Sequence, residues 1–416
     1  MSRWLRFLNK NEPLSVYFFA VPRNCLNLMG YWPGGADNKD KKTDKNPPIR
    51  AYVHFVILAI GVTTELHAGM RFLHQEELTL ALETFCPAAT SAVTLLKMFL
   101  MLRYRQDISN MWCRLRTLLF DRRRERPDQL DIRLRHSLLA VWINCWPVCA
   151  GFFTGSVYNS KPVLIALVLY LQQRSDEILW VIPFNMTMPS FLLKSPFFPF
   201  TYLFTAYTGY VTIFMFGGCD GFYFEFCSHI SALFEILQSE TKALFKPYKD
   251  RLSIDAEEAL HLEQQLRAIV IRHNALIDLI KSFRQRYAII TLAHFVSAAM
   301  VIGFSMVNLL TVGGIGLGVI LYVAYTIAAA SQLLVYCYGG TLVAESSLGL
   351  SRTLFACPWN ICWPSQRRYV QLMLLRSQKA LTMAVPFFSP SLAAFASEIQ
   401  DLLQHFDSLP AKAKPE

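Results

Sequence analysis

Seven apolar stretches separate connections whose positive charge falls on alternate sides, and this constrains the chain more than any other feature. The stretches cover residues 51–73, 78–102, 137–156, 200–219, 287–310, 317–338 and, less cleanly, 380–409. A hydrocarbon core of about 30 Å takes about 20 apolar residues per helix, and at least six of the stretches meet that length. The first 50 residues carry nine Lys and Arg. The 103–136 connection carries ten, all Arg, with Arg122, Arg123 and Arg124 in a row. The 240–286 and 345–379 connections carry nine and five. The alternate connections hold only Arg71, Lys161, Arg174 and Lys194, so the bias is 33 to 4. Positively charged loops stay in the cytoplasm. The pattern therefore predicts an all-α membrane protein with seven transmembrane helices, its N-terminus cytoplasmic and its C-terminus outside, the reverse of a rhodopsin-type receptor.

Composition agrees with this: the chain is 53% hydrophobic with mean hydropathy +0.31. The net charge of +10 implies no nucleic-acid partner, because it sits in juxtamembrane loops where orientation and anionic lipid already account for it. Met1 to Lys10 is basic with no adequate apolar run behind it, so the first span is expected to serve as the insertion signal. None of the ten cysteines lies in 157–199, which argues against a disulfide framework. Cys145 and Cys149 share a helix face, but no His or carboxylate is near, and they read as apolar thiols rather than metal ligands. No Gly-rich phosphate loop and no HExxH motif occur. Gly313, Gly314, Gly316 and Gly318 read as a tight turn between spans. Neither an enzyme nor a cofactor site is expected.

The organisation follows from the spans. Residues 1–50 form a cytoplasmic segment: Phe18 to Pro33, broken by Pro22 and Gly30, is expected to lie along the inner membrane surface with Trp32 at headgroup level, before a charged linker over 34–48. Residues 51–409 form the receptor domain, and 410–416 a tail. Apolar residues recur at helical spacing beyond the fourth span and through Leu262, Leu266, Ile269, Val270, His273, Leu276, Ile277 and Ile280. Extensions over about 220–286 and 340–384 are thus expected to form a cytosolic helical bundle, their stripes buried against each other or a partner subunit. The outer connection 157–199 reads as a folded lid. In it, Val163 to Leu171 is too short to span and Ile182 to Pro189 (IPFNMTMP) carries a glycosylation sequon at Asn185, held near the membrane by Pro183 and Pro189. Glu65, Glu83 and Lys97 fall inside spans, at a cost of about 2.5–3.5 kcal/mol for a mid-bilayer charge. Lys97 either snorkels to the surface or makes a buried polar contact. The carboxylates have no partner that sequence identifies.

These residues carry a resemblance. Leu28 to Pro33 (LMGYWP), IPFNMTMP, Asp220 with His229 and Leu233, and Arg272-His273-Asn274 fall in the order found in insect odorant receptors. So do Gln332, Tyr336 to Gly340 (YCYGG), Ser346–Ser347, Trp359, Leu372 to Ala384 (LMLLRSQKALTMA), Phe388 and Ser391 to Phe395 (SLAAF). The chain resembles a tuning subunit of that family over nearly its whole length. The resemblance implies a tetrameric ligand-gated cation channel assembled with a separate odorant co-receptor, in the membrane of olfactory neurons. It also implies a volatile apolar ligand in the outer half of the helical bundle and a seventh segment split in two. Pro386 and Pro390 supply that split, between Leu372–Ala384 and a helix from Leu392.

With the ligand placed by depth, the candidate binding residues are Phe85, Trp146, Phe153, Tyr207, Tyr210 and Tyr322; apolar rings with a few polar tips suit a small-molecule pocket, and each also suits ordinary packing. The ending departs from the family: from Ser397 it is amphipathic, with Glu398, Asp401, Gln404, His405 and Ser408 on one face. Either Glu398, Asp401, Gln404 and His405 line a pore, or the segment is a mis-joined end; the second reading is preferred, and it leaves a non-conducting decoy subunit as an alternative. A gustatory-type receptor is a further alternative, although its Thr-Tyr and Gln-Phe hallmarks are absent. A secondary transporter would show repeat symmetry, and none is found.

Overall fold

The computed structural model describes residues 7, 12–33, 48–120, 126–172, 181–251, 253–311 and 317–408. The 34–48 linker but for Pro48, the arginine run 122–124, the glycine turn 313–316 and the tail 410–416 lie outside them.

Eleven α-helices are described: α1 (Leu14–Tyr17), α2 (Ala20–Met29), α3 (Ile49–His74), α4 (Leu78–Arg103), α5 (Arg105–Leu119), α6 (Pro127–Leu171), α7 (Phe198–Phe245), α8 (Ala256–Thr311), α9 (Leu317–Ala356), α10 (Pro364–Ser377) and α11 (Leu392–Ser408). Among the described residues the only β pairing is an isolated bridge between Val385 and Phe388. α3, α4, α6, α8 and α9 are long and apolar enough to cross a membrane. α7 carries the expected 200–219 stretch, rich in Thr and Tyr rather than aliphatic residues.

The first two spans match α3 and α4 to within two residues. The next four expected spans are segments of longer helices. α6 starts with Pro127 in its first turn, where the missing N–H costs nothing, and Asp128 beside it suits the positive helix end. It runs unbroken for 45 residues despite Pro147 and Pro162. Val163 to Leu171, expected as a separate piece of the lid, is its last two turns and more; among the described residues of the connection, 181–197 is non-helical. α8 is 56 residues long and contains no proline.

α7 is the axis. Every residue from Met215 to Phe234 is buried, as expected for a helix surrounded by others. Around it Phe226 stacks on Phe283 at 3.8 Å between centroids, Phe283 on Tyr287 at 4.4 Å, and Tyr223 meets Tyr336 at 4.5 Å. At the end where α5 and α10 gather, which we call the anchor end, Leu237, Phe245, Leu262, Leu266, Leu350, Leu354, Val370 and Met373 form a second core. These are the stripes of the expected extensions. The opposite end carries the 181–197 connection and is called the loop end.

Two expectations change. The stretch from Phe18 to Pro33 is packed into the helical bundle rather than resting outside it. Tyr17, Phe18, Phe19, Leu26 and Tyr31 are buried, and the Phe19 N–H donates to Glu225 Oε2 at 3.0 Å. The seventh segment is split as expected, with its second helix starting at Leu392, but its first half is shorter: α10 stops at Ser377, not Ala384. There the Leu381 N–H donates to Ser347 Oγ at 3.0 Å, and the Val385–Phe388 turn places Phe387 at φ 81°. A side chain from α9 thus takes up a backbone group that a continuing helix would satisfy itself. α11 then starts under a Ser391 cap, whose Oγ accepts the Ala394 N–H at 3.1 Å. Of its polar face, Gln404 is exposed; the side chains of Glu398, Asp401 and His405 lie outside the described residues.

Candidate binding site

Toward the loop end, α3, α4, α6, α7, α8 and α9 surround a cavity of about 70 Å³. Three helices line it with the same spacing. α6 presents Gly151, Thr154, Gly155 and Tyr158, α7 Gly209, Thr212, Ile213 and Phe216, and α9 Tyr325, Ala328, Ala329 and Gln332. Each set is i, i+3, i+4, i+7, one face of a helix. Small residues keep the space open. A Cβ at Gly209 would come within 3.0 Å of Phe184, and one at Gly155 within 3.0 Å of Ile213. α4 adds Pro87, Thr90 and Ser91, α3 adds Glu65, α8 adds Val301 and the loop-end connection adds Phe184.

The three threonine hydroxyls of the wall are occupied by backbone. The Thr154 hydroxyl donates to Ala150 O at 2.9 Å, Thr90 to Pro87 O at 2.8 Å and Thr212 to Thr208 O at 3.1 Å. Glu65 differs. It is 2% exposed, and its Oε2 has no partner.

Beyond the cavity in both directions lie side chains that sequence reading left unpaired. Toward the loop end, Glu83 accepts from Lys161 at 2.6 Å and from the Tyr322 hydroxyl at 3.1 Å. Tyr322 clusters there with Tyr158, Ile182, Phe184, Met186 and Leu321. The lid segment is therefore packed, as expected of 182–189. Asn185 is part of that packing: its Nδ2 donates to Thr84 Oγ1 at 3.1 Å, so the sequon nitrogen is engaged. Toward the anchor end, Lys97 is wholly buried rather than snorkelling. Its ammonium donates to Asp220 at 2.7 and 2.9 Å, Tyr336 donates to the same carboxylate at 2.6 Å, and Phe216 covers the ammonium at 4.1 Å from its ring centroid. Phe216 has one side on the cavity and the other on this ion pair.

None of the six candidate residues lines the cavity. Trp146 and Phe153 point away from it, 61% and 59% exposed. Tyr207 is 38% exposed and bonds His54 Nδ1 at 2.8 Å. Tyr210 packs beside Phe152 at 5.9 Å. Phe85 lies in an apolar surface groove between α4 and α8. Tyr322 is buried but spends its hydroxyl on Glu83. Trp146, Phe153 and Tyr207 sit on helix faces turned outward, whereas the cavity is lined from the opposite faces. The signal that finds the site is the recurrence of Gly, Ala and Thr at i, i+3 and i+4. Among the described residues no group of three or more His, Cys, Asp or Glu is placed to hold a metal.

Comparison with known proteins fits this architecture. Residues 77–400 match the profile of the 7tm Odorant receptor family. The chain is 66% identical to Odorant receptor 10a of Drosophila melanogaster over 400 residues, covering 96% of this chain and 97% of that one. It is 31% identical to Odorant receptor 24a of the same organism, over 98% of each. The insect olfactory receptor OR5 of Machilis hrabei, solved in complex with eugenol, superposes with a TM-score of 0.76 at 14% identity, covering 94% of this chain and 97% of that one. The odorant receptor coreceptor of Aedes aegypti is 23% identical over 154 residues, 36% of this chain. The seven-transmembrane fold, the ordered motifs and the full-length match lead to one conclusion: the chain belongs to the insect odorant receptor family, as a tuning receptor and not the co-receptor.

Proposed function

We propose that the cavity between α3, α4, α6, α7, α8 and α9 is the odorant site, and that its occupation opens a cation channel formed with a co-receptor subunit in the dendritic membrane of olfactory neurons. The anchor end then faces the cytoplasm, in keeping with the 33-to-4 charge bias. The observation that carries the reading is the wall itself: three helices turn small residues toward one shared space, with Tyr158, Phe184 and Phe216 among its lining rings. At about 70 Å³ the space is smaller than the ~150 Å³ apolar cavity that holds benzene, so a volatile of that size enters with some movement of the lining side chains.

Inward current in cells carrying this chain with a co-receptor tests the reading. Odorant-evoked current is expected, with little from the chain alone. Ala328→Phe, which fills the cavity, abolishes the response while the receptor still reaches the surface. Unchanged responses in that variant would place the odorant elsewhere. Tags at both ends, stained on intact cells, test the orientation: only the C-terminal tag is expected to stain.

A further inference from the structure

Resting on the cavity as odorant site, we infer that Glu65 selects for hydroxyl-bearing volatiles, small alcohols or phenols, over their ether and hydrocarbon analogues. Glu65 lies on α3, is almost wholly buried, and lines the cavity. No Lys, Arg or His lines the cavity with it. Its Oε2 is an orphan, whereas the threonine hydroxyls around it are spent on their own helix backbones. A buried polar atom without a partner is unfavourable, and a ligand that supplies the partner gains by that difference. A hydroxyl group both donates and accepts, so it complements a carboxyl in either protonation state. An ether offers no proton and a hydrocarbon offers neither. Beside Glu65, Phe184, Phe216 and Tyr325 form the apolar part of the wall. The arrangement thus favours a molecule that brings a hydroxyl to Glu65, the kind of contact that discriminates strongly when its partner is missing.

The test uses the full chain with a co-receptor and a panel of matched pairs, each an alcohol or phenol and its methyl ether. Half-maximal concentrations are compared for the parent chain, Glu65→Gln, Glu65→Leu and the cavity-filling Ala328→Phe. The parent chain is expected to favour the hydroxyl member by about tenfold or more. Glu65→Gln, which keeps a donor and an acceptor, retains most of that ratio. Glu65→Leu brings the ratio close to one while its response to the ethers persists, which also shows that the variant folds. An unaltered ratio in Glu65→Leu, or a parent chain that answers ethers as well as alcohols, overturns the inference and leaves the cavity as the site. Responses to both members that survive Ala328→Phe overturn the site reading and the inference with it.

Discussion

The two halves of the helical bundle are built from the same helices and solve different problems. Around the middle of α7, aromatic rings stack on one another, and 20 consecutive residues are buried. Around the loop half, the same helix turns Gly209, Thr212 and Ile213 to a cavity and exposes Leu203 and Tyr207 on its other face. The large residues that would fill the space are displaced to the outside. A close-packed interior transmits strain and tolerates little change, whereas a wall of small residues leaves room for a guest. One half is thus suited to holding the assembly and the other to recognition.

The largest expected effect breaks the packed half. Phe283→Ala removes a ring stacked on Phe226 and Tyr287 and is expected to cost about 3–5 kcal/mol, seen as a lower melting temperature of the purified receptor and loss from the cell surface. Tyr325→Ala in the cavity wall should cost clearly less and instead alter ligand rank order. Equal losses of stability would erase the contrast between halves.

At the boundary between the halves, Lys97→Met or Asp220→Leu alone strands a buried charge and is expected to cost about 3–5 kcal/mol. The double substitution should recover most of that, since a buried ion pair is often replaceable by apolar packing. A double variant as unstable as either single one would show that Tyr336 or another neighbour depends on the pair.

The anchor end carries a pH dependence that the cavity end does not need. His273 is buried there; desolvation, then the positive charge of Arg376, lower its pKa to about 4. The folded protein keeps this imidazole neutral while the unfolded chain protonates it near pH 6.5. Stability is therefore full above about pH 6.5 and lost as pH falls toward 4, by up to about 3 kcal/mol. Thermal melts from pH 7.5 to 4.5 should show that slope, and His273→Gln should flatten it. An unchanged slope would assign the acid sensitivity to other groups.

The smallest effects belong to the outward faces. Trp146→Ala and Phe153→Ala are expected to leave odorant rank order unchanged, measured across the same panel. A shift comparable to that of Tyr325→Ala would bring those rings into the site.

Much of this was legible in the sequence. Charge bias and hydropathy located the spans, and recurrences such as Leu262, Leu266 and Ile269 revealed the extensions, because burial against a neighbouring helix leaves a periodic trace. Helix rotation left a weaker one. In lipid, the outward face is as apolar as the inward one, so Trp146 and Thr154 cannot be sorted by hydropathy. Partnerships were illegible for another reason: Lys97 and Asp220 are brought together only by the packing of α4 on α7. Nothing local in sequence distinguishes a paired lysine from one that snorkels. The Phe18–Pro33 segment was misplaced on similar grounds, since its contact with Glu225 lies 206 residues away.

That separation matters during synthesis. Lys97 and Asp220 are 123 residues apart, and at about 5–20 residues per second the ribosome needs roughly 6–25 s to make the interval. For that time α4 waits in the bilayer with a lysine whose counter-ion does not yet exist. The stem of Lys97, two turns from Arg103, is long enough to hold its ammonium at the headgroups meanwhile. The side chain then has to retract when α7 arrives, so that pairing itself marks the moment at which the early and late spans become one body. Quality control that senses unpaired intramembrane charge would have this site to inspect.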